Sequence, residues 1–221
     1  EGQAYFEEGD LSRAAISFRN ALRIDANNAE ALFAMGRVHE NRDRMRRAYA
    51  AYREAASADP SMVPAHTGYG VLALTANDLE TVAEAAASIL EHAPGHPDGL
   101  ALEAALALRD ERIDEARELA LAALASEPDH VNATSALAGA HRAAGDTARA
   151  IAVLDEHFRA HGPNVPLALL KVQLAASAED VDAVEAALRE LVDFAPENAD
   201  FRIALADFYR PLVPAGGLAF D

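Results

Sequence analysis

Apolar positions along this chain recur three and four residues apart, in stretches of about 14 residues separated by short polar turns, which is the spacing of amphipathic helices. Within residues 29–60, Leu32, Met35, Gly36 and His39 share one helical stripe, and Ala48, Tyr52 and Ala55 share another. No segment sustains the period-two alternation of a half-buried strand, so the chain is predicted to be all-helical. The pattern predicts one set of helices near 29–42, 63–76, 97–110, 131–144, 165–178 and 199–210, here called first helices. A second set is predicted near 11–24, 45–58, 79–92, 113–126, 147–160 and 181–194. Asp10, Asp78, Asp146 and Asp180 stand just ahead of second helices, where a carboxylate accepts from unsatisfied backbone amides. Gly9 and Gly145 precede two of them and suit a left-handed residue after the first helix.

The helices repeat. Proline recurs at Pro60, Pro94, Pro128, Pro163 and Pro196, at spacings of 34, 34, 35 and 33 residues. Other columns keep the same step. Gly36, Ala48, Tyr52 and Ala55 are matched one block earlier by Gly2, Ala14, Phe18 and Ala21, with Tyr5 in the column of His39 and His141. One block later His66, Tyr69 and Gly70 match Leu32, Met35 and Gly36, and further on Leu100, Ala104, Ala116 and Ala123 keep the register. The fifth block carries Ala138, Ala150 and Leu154, and its Pro163 sits one place late without shifting the frame. The sixth carries Ala175, Leu188 and Leu191. A period of 34 residues is the mark of a helix–turn–helix solenoid.

These columns resemble the tetratricopeptide repeat family: small residues where paired helices touch, large ones in the core, and proline closing the second helix. The resemblance implies a right-handed superhelical solenoid of antiparallel helix pairs. It would hold about six repeats (1–28, 29–62, 63–96, 97–130, 131–164 and 165–198) and a partial one over 199–221, forming a single domain. A finer likeness lies in Phe18-Arg19-Asn20-Ala21-Leu22-Arg23-Ile24-Asp25 followed by Asn27-Asn28-Ala29-Glu30-Ala31-Leu32, which is similar to bacterial envelope repeat proteins. Some of those are lipoproteins that serve polysaccharide export or protein sorting.

Composition agrees with a solenoid. Hydrophobic residues make up 51% of the chain but aromatics only 6%, because much of the apolar share is alanine, the best helix former. Each repeat buries its face on its neighbours, so no single large core is needed. The net charge of −17 is opposite to what nucleic acid or an anionic bilayer surface attracts, and neither is an expected partner. No apolar run is long enough to span a membrane, so no direct insertion of this segment is expected. Lys171 is the only lysine among 19 basic residues, and with the abundant alanine this points to a GC-rich bacterial genome. The absence of cysteine excludes disulfides, thiol catalysis and cysteine-ligated zinc from the segment. It leaves the compartment open between bacterial periplasm and cytoplasm, with the periplasm slightly favoured; the lack of cysteine does not exclude the periplasm, because the one cysteine of a cleaved lipoprotein would lie in an N-terminus omitted from this segment.

Candidate chemistry is sparse. His157 and His161 are four apart on one helix face, but the segment lacks the internal Glu of a zinc-protease helix, and both sit where imidazoles face the helix dipole. They read as structural. Pro94 breaks the helix between His92 and His96, and His39 and His141 read as packing residues. There is no glycine-rich phosphate loop, no nucleophile elbow and no distinct carboxylate pair. No cofactor, metal or catalysis is expected in this segment.

The resemblance implies that first helices line an inner, concave wall whose non-core positions meet a protein or peptide ligand. Carried over by column, that wall comprises Phe6, Phe33, Arg37, Val71, Leu74, Thr75, Ala101, Ala105, Leu108 and Arg109, then Ser135, Gly139, Arg142, Leu169, Gln173 and Ile203. Apolar anchors with a few fixed guanidinium groups suit an extended or helical peptide. The carboxylate clamp by which some family members hold chaperone tails is absent: its columns hold Phe33, Arg37, Gly68, Asp98 and Leu102. A second basic cluster, Arg37, Arg42, Arg44, Arg46, Arg47 and Arg53, surrounds one inter-helix turn, either solvated beside Glu40, Asp43 and Glu54 or open to an acidic partner.

The expected function is a non-catalytic scaffold holding a partner protein in its groove. Two alternatives remain open: the substrate-recruiting arm of an enzyme whose catalytic domain lies outside this segment, and a structural array that self-associates through exposed solenoid ends. Glu1 falls partway through a first helix and no capping helix is evident after Tyr209, so the segment is expected to belong to a longer array, unless the stretch 208–220 folds back as a cap.

Overall fold

The computed structural model describes residues 1–210. These form thirteen α-helices, and among the described residues there is no strand. After a short α1 (Gly2–Glu7), the second helices are α2 (Leu11–Ile24), α4 (Met45–Ala58), α6 (Leu79–His92), α8 (Ile113–Ser126), α10 (Thr147–His161) and α12 (Val181–Phe194). The first helices are α3 (Ala29–Glu40), α5 (Val63–Thr75), α7 (Pro97–Arg109), α9 (Val131–Ala143), α11 (Val165–Ser177) and α13 (Ala199–Tyr209). Each lies within two residues of the bounds read from the periodicity. The stretch 208–220 considered as a folded-back cap lies largely outside the described residues.

Three columns of the repeat punctuate the helices by physical necessity. Asp10, Asp78, Asp146 and Asp180 each accept the backbone N–H three residues on, at 2.8–3.2 Å, satisfying one of the amides a helix start leaves open. The residue before the N-cap of every second helix, the N-caps Arg44 and Arg112 included, takes a left-handed conformation: Gly9 and Gly145 do so as glycines, and Asp43, Asn77, Glu111 and Glu179 do so against their side chains, with φ of 55–59°. At the other end, Asp59 and Glu127 are extended, and Ala93 and Ala195 leave the helical region with the same φ near −138°, all ahead of a proline that disfavours the helical conformation in the residue before it. Pro163 falls one place late because α10 runs one residue longer, and Gly162, at φ 89°, turns the chain there instead.

The chain divides into two compact units, residues 1–133 and from Thr134 onward, with the division inside α9. In the first unit each helix from α1 to α8 packs on its sequence neighbour, and α5 also touches α7, so first helices lie side by side. Its main core gathers Leu32, Tyr52, Tyr69, Val82, Ile89 and Leu102 around small alanines. Tyr52 is its keystone. The ring, 2% exposed, lies against Gly36 of α3 and Gly68 of α5, where an added Cβ would fall 2.4 Å and 2.7 Å from ring carbons. Its hydroxyl donates to Glu40 Oε2 at 2.5 Å, which gives the buried polar end a partner. Burial and that hydrogen bond hold its pKa far above the ordinary tyrosine value.

In the second unit, α10 packs on α11, α11 on α12 and α12 on α13. Leu154, Leu167, Leu174 and Leu191 are fully buried, and Phe158 meets Phe194 edge-on at 5.2 Å. Lys171 of α11 bridges Asp155 of α10 at 2.5 Å and Glu190 of α12 at 2.6 Å, only 14% exposed. Burial works against its charge, yet the two carboxylates hold its pKa above the usual lysine value.

Two substitutions test this reading of packing and turns. Gly36→Ala is expected to destabilise by about 1–3 kcal/mol through overpacking against Tyr52, outweighing roughly 1 kcal/mol of helix propensity. Glu111→Gly is expected to stabilise by about 0.5 kcal/mol, since relief of a left-handed side chain exceeds the entropy cost of glycine. Urea denaturation followed by circular dichroism measures both, and the opposite sign in either would refute that part of the account.

Candidate functional site

In the first unit Phe6 of α1 and Arg37 of α3 come together: the guanidinium lies 4.3 Å from the ring centroid, within cation–π range. Phe33, one turn back on α3, is half-buried and leans on Tyr52 with centroids 5.4 Å apart. Val71 and Leu74 of α5 are half-buried against the same core. Ala105 and Leu108 of α7 are half-buried, and Arg109 beside them is exposed, as is Thr75. Ala101 is a correction: it is 3% exposed, packed with Ala123 and Ala133, and has no surface to offer. The wall of this unit is therefore made of apolar side chains that serve the core with one side and solvent with the other.

In the second unit Ser135 and Gly139 of α9 are half-buried and Arg142 is exposed. Leu169 and Gln173 of α11 are exposed, Leu169 by 40%, and Ile203 of α13 is 56% exposed. Exposed leucine and isoleucine on successive first helices are apolar surface that the described residues of this unit leave uncovered.

Histidines do structural work that periodicity alone did not assign. The first-helix N-cap column reads Asn28, Met62, His96, His130, Asn164 and Asn198. His96 Nδ1 accepts from the Asp98 amide at 3.2 Å, and His130 Nδ1 accepts from the Ala133 amide at 3.1 Å. Because His130 Nδ1 is an acceptor, its Nε2 carries the proton and donates to Asp98 Oδ1 at 3.0 Å. Burial alone would raise the Asp98 pKa, but the hydrogen bonds from His130 and Thr67 and the nearby imidazoles hold it below the usual carboxylate range. The signal was available in the asparagines of the same column, which are ordinary N-caps. His66 ties Pro60 O (2.9 Å) to Tyr69 Oη (3.0 Å) while buried. His157 is buried with Nδ1 3.2 Å from Thr134 Oγ1, and its ring sits 5.0 Å from that of His161. Among the described residues no group of three or more His, Cys, Asp or Glu is placed to hold a metal ion, and no helix is long and apolar enough to cross a membrane.

Sequence comparison now decides the family. The profile described as tetratricopeptide repeat matches residues 33–98 and 102–164, and one described as TPR repeat matches 2–42. The chain belongs to the tetratricopeptide repeat family. Over 93% of its length it is 30% identical to the cellulose synthase 1 operon protein C of Komagataeibacter xylinus, of which it spans 17%. Among solved structures, a tetratricopeptide repeat protein from Parabacteroides merdae superposes with a TM-score of 0.76 at 17% identity, covering 95% of this chain and 82% of that one. PilW, described as a widely conserved type IV pilus biogenesis factor, gives a TM-score of 0.66 at 19% identity, covering 92% of this chain and 94% of its own. At those identities the structures attest the fold.

In this tetratricopeptide repeat chain the columns of the carboxylate clamp are consumed by packing. Gly68 faces the Tyr52 ring, Asp98 is engaged by His130, and Leu102 is 2% exposed.

The buried His66 and the half-buried His39 set a pH dependence. Burial lowers the His66 pKa below 6.5, and burial together with Arg47, Arg44 and Arg42 lowers that of His39. Both groups bind protons more weakly folded than unfolded, so stability is lost as pH falls below about 6.5. Asp98, lowered in the fold, adds a further loss only as pH falls below 3.8. The urea midpoint is expected to drop between pH 7.5 and pH 5, with a smaller drop in His66→Gln. An unchanged midpoint over that interval would contradict the lowered pKa of both rings.

Proposed function

We propose that this chain is a non-catalytic scaffold that holds a peptide or partner protein against its first helices, in a bacterial envelope assembly, export or sorting system. The observation that carries the proposal is the pairing of half-exposed apolar side chains with guanidinium groups on those helices: Phe6 with Arg37, and Leu108 followed by Arg109. Such a surface supplies apolar contact area and fixed points for backbone carbonyls or carboxylates, which is how peptide-binding grooves combine affinity with register. Exposed Leu169 and Ile203, with Gln173 and Arg142, extend the same chemistry on the first helices of the second unit.

The envelope assignment leans on two likenesses. One is to a cellulose synthase operon protein, which favours a scaffold in polysaccharide synthesis or export. The other is to a pilus biogenesis factor. The cellulose likeness also supports a second reading, in which this segment recruits substrate or partner for an enzyme complex assembled elsewhere on a longer protein.

Affinity capture from a bacterial envelope extract, compared with an Arg37→Glu/Arg109→Glu/Arg142→Glu variant of equal helicity, tests the proposal. Partners identified with the parent are then purified and their affinity measured directly. The variant is expected to bind at least about tenfold more weakly, the cost of losing one charge-assisted contact. Equal affinity in parent and variant would remove the first helices as the binding surface.

A further inference from the structure

The turn joining α3 to α4 differs in charge from its counterparts. The residue that opens each second helix is aspartate in four repeats and arginine, Arg44 and Arg112, in the other two. Arg112 is neutralised on the spot: Nη2 meets Asp110 at 3.0 Å and Nη1 meets Glu115 at 2.6 Å, while Arg117 pairs with Asp114. The columns that hold Asp110, Asp114 and Glu115 there hold Arg42, Arg46 and Arg47 two repeats earlier. The same turn is acidic and internally paired in one repeat and basic in the other.

Among the described residues no carboxylate forms an ion pair with these arginines. Arg42 donates to Ser12 Oγ at 3.0 Å, but among the described residues Arg44, Arg46 and Arg47 form no ion pair, although Arg13, Arg149 and Arg189 in other repeats all do. The three are exposed, and with Asp43 and Met45, itself 42% exposed, they line a shallow depression of about 410 Å³. Their field reaches His39 at the end of α3, whose buried Nδ1 has no hydrogen-bond partner among the described residues. In a chain of net charge −17 this turn sets Arg42, Arg44, Arg46 and Arg47 against Asp43, which forms no ion pair among the described residues, and the flanking Glu40, whose carboxylate accepts from Tyr52.

We infer that the α3–α4 turn is a docking surface for a short acidic segment of a partner protein, held by Arg44, Arg46 and Arg47 with Met45 as its apolar contact. Guanidinium groups grip carboxylates through paired, charge-assisted hydrogen bonds, and an unbranched thioether adapts to an apolar side chain between them. The depression spans a single turn, and the acidic remainder of the chain repels an extended polyanion, which favours a short segment over nucleic acid or an anionic bilayer. The turn is separate from the first-helix wall, so one partner held at both places would gain from their linkage.

Fluorescence anisotropy with a short labelled peptide of Glu and Asp around one Leu, at low salt, tests this. The parent is expected to bind, Arg44→Glu/Arg46→Glu/Arg47→Glu to bind about tenfold or more weakly, and Arg109→Glu/Arg142→Glu to match the parent. Peptide addition should also move the His39 imidazole resonance in the parent. Equal circular dichroism checks folding, and Arg46→Gln/Arg47→Gln serves if the triple variant misfolds. No binding by the parent, equal binding by the turn variant, or displacement of the peptide by phosphatidylserine vesicles or a single-stranded oligonucleotide would overturn the inference. So would self-association of the parent that the turn variant abolishes, since the occupant would then be a second copy. Loss in the wall variant alone would move the acidic ligand to the first helices and leave the first-helix reading standing.

Discussion

Close approach of one helix to the next, over residues too small to hold them apart, is the constraint on which everything else in this protein rests. At Tyr52 it takes its most demanding form. A large ring from α4 reaches between α3 and α5 only because Gly36 and Gly68 face it without a Cβ. The same device recurs at Gly2, where a Cβ would fall 2.6 Å from the Phe18 ring, and at Gly70, where it would fall 2.9 Å from Ala85. Interiors packed to crystal density do not absorb an extra methyl group without movement. The small positions therefore set the distance between helices, and the helix spacing sets where every outward-facing side chain ends up.

Short turns convert that packing into a repeat. Each crossing from first to second helix passes through one left-handed residue and, in four cases, a capping aspartate. Four of those left-handed residues are not glycine, so the turn geometry is imposed by the helices on either side rather than by local preference. Imidazole takes over the capping task ahead of α7 and α9, and at His130 the other ring nitrogen binds Asp98. Local hydrogen bonding and inter-repeat contact thus share residues, which ties the start of one first helix to the start of the next.

What remains for function is surface. Carboxylates pair with arginines in several repeats, on an exterior that is acidic overall. Arg37 stacks on Phe6, and Arg109 and Arg142 stand exposed on first helices. The turn after α3 gathers Arg44, Arg46 and Arg47, none of them ion-paired among the described residues, around the single aspartate Asp43. A repeat protein offers a partner a pattern of such points on a stiff frame, and its selectivity comes from which of them are left unpaired.

The sequence by itself determined the helices, their bounds and their register, because apolar period, capping aspartates and pre-proline residues act through neighbours only a few positions away. It also carried the family, since a step of 34 residues is visible without coordinates. Tertiary structure decided how much of each wall residue is available. Ala101 and Ala105 look alike in the sequence, yet the first is sealed against Ala123 and Ala133 while the second keeps part of its surface. The same holds for arginine: Arg44 and Arg112 occupy one column, and only the arrangement of carboxylates around them separates a quenched charge from an open one. Exposure and pairing are properties of atoms brought together from distant positions, so a linear pattern places the residue but not its surroundings.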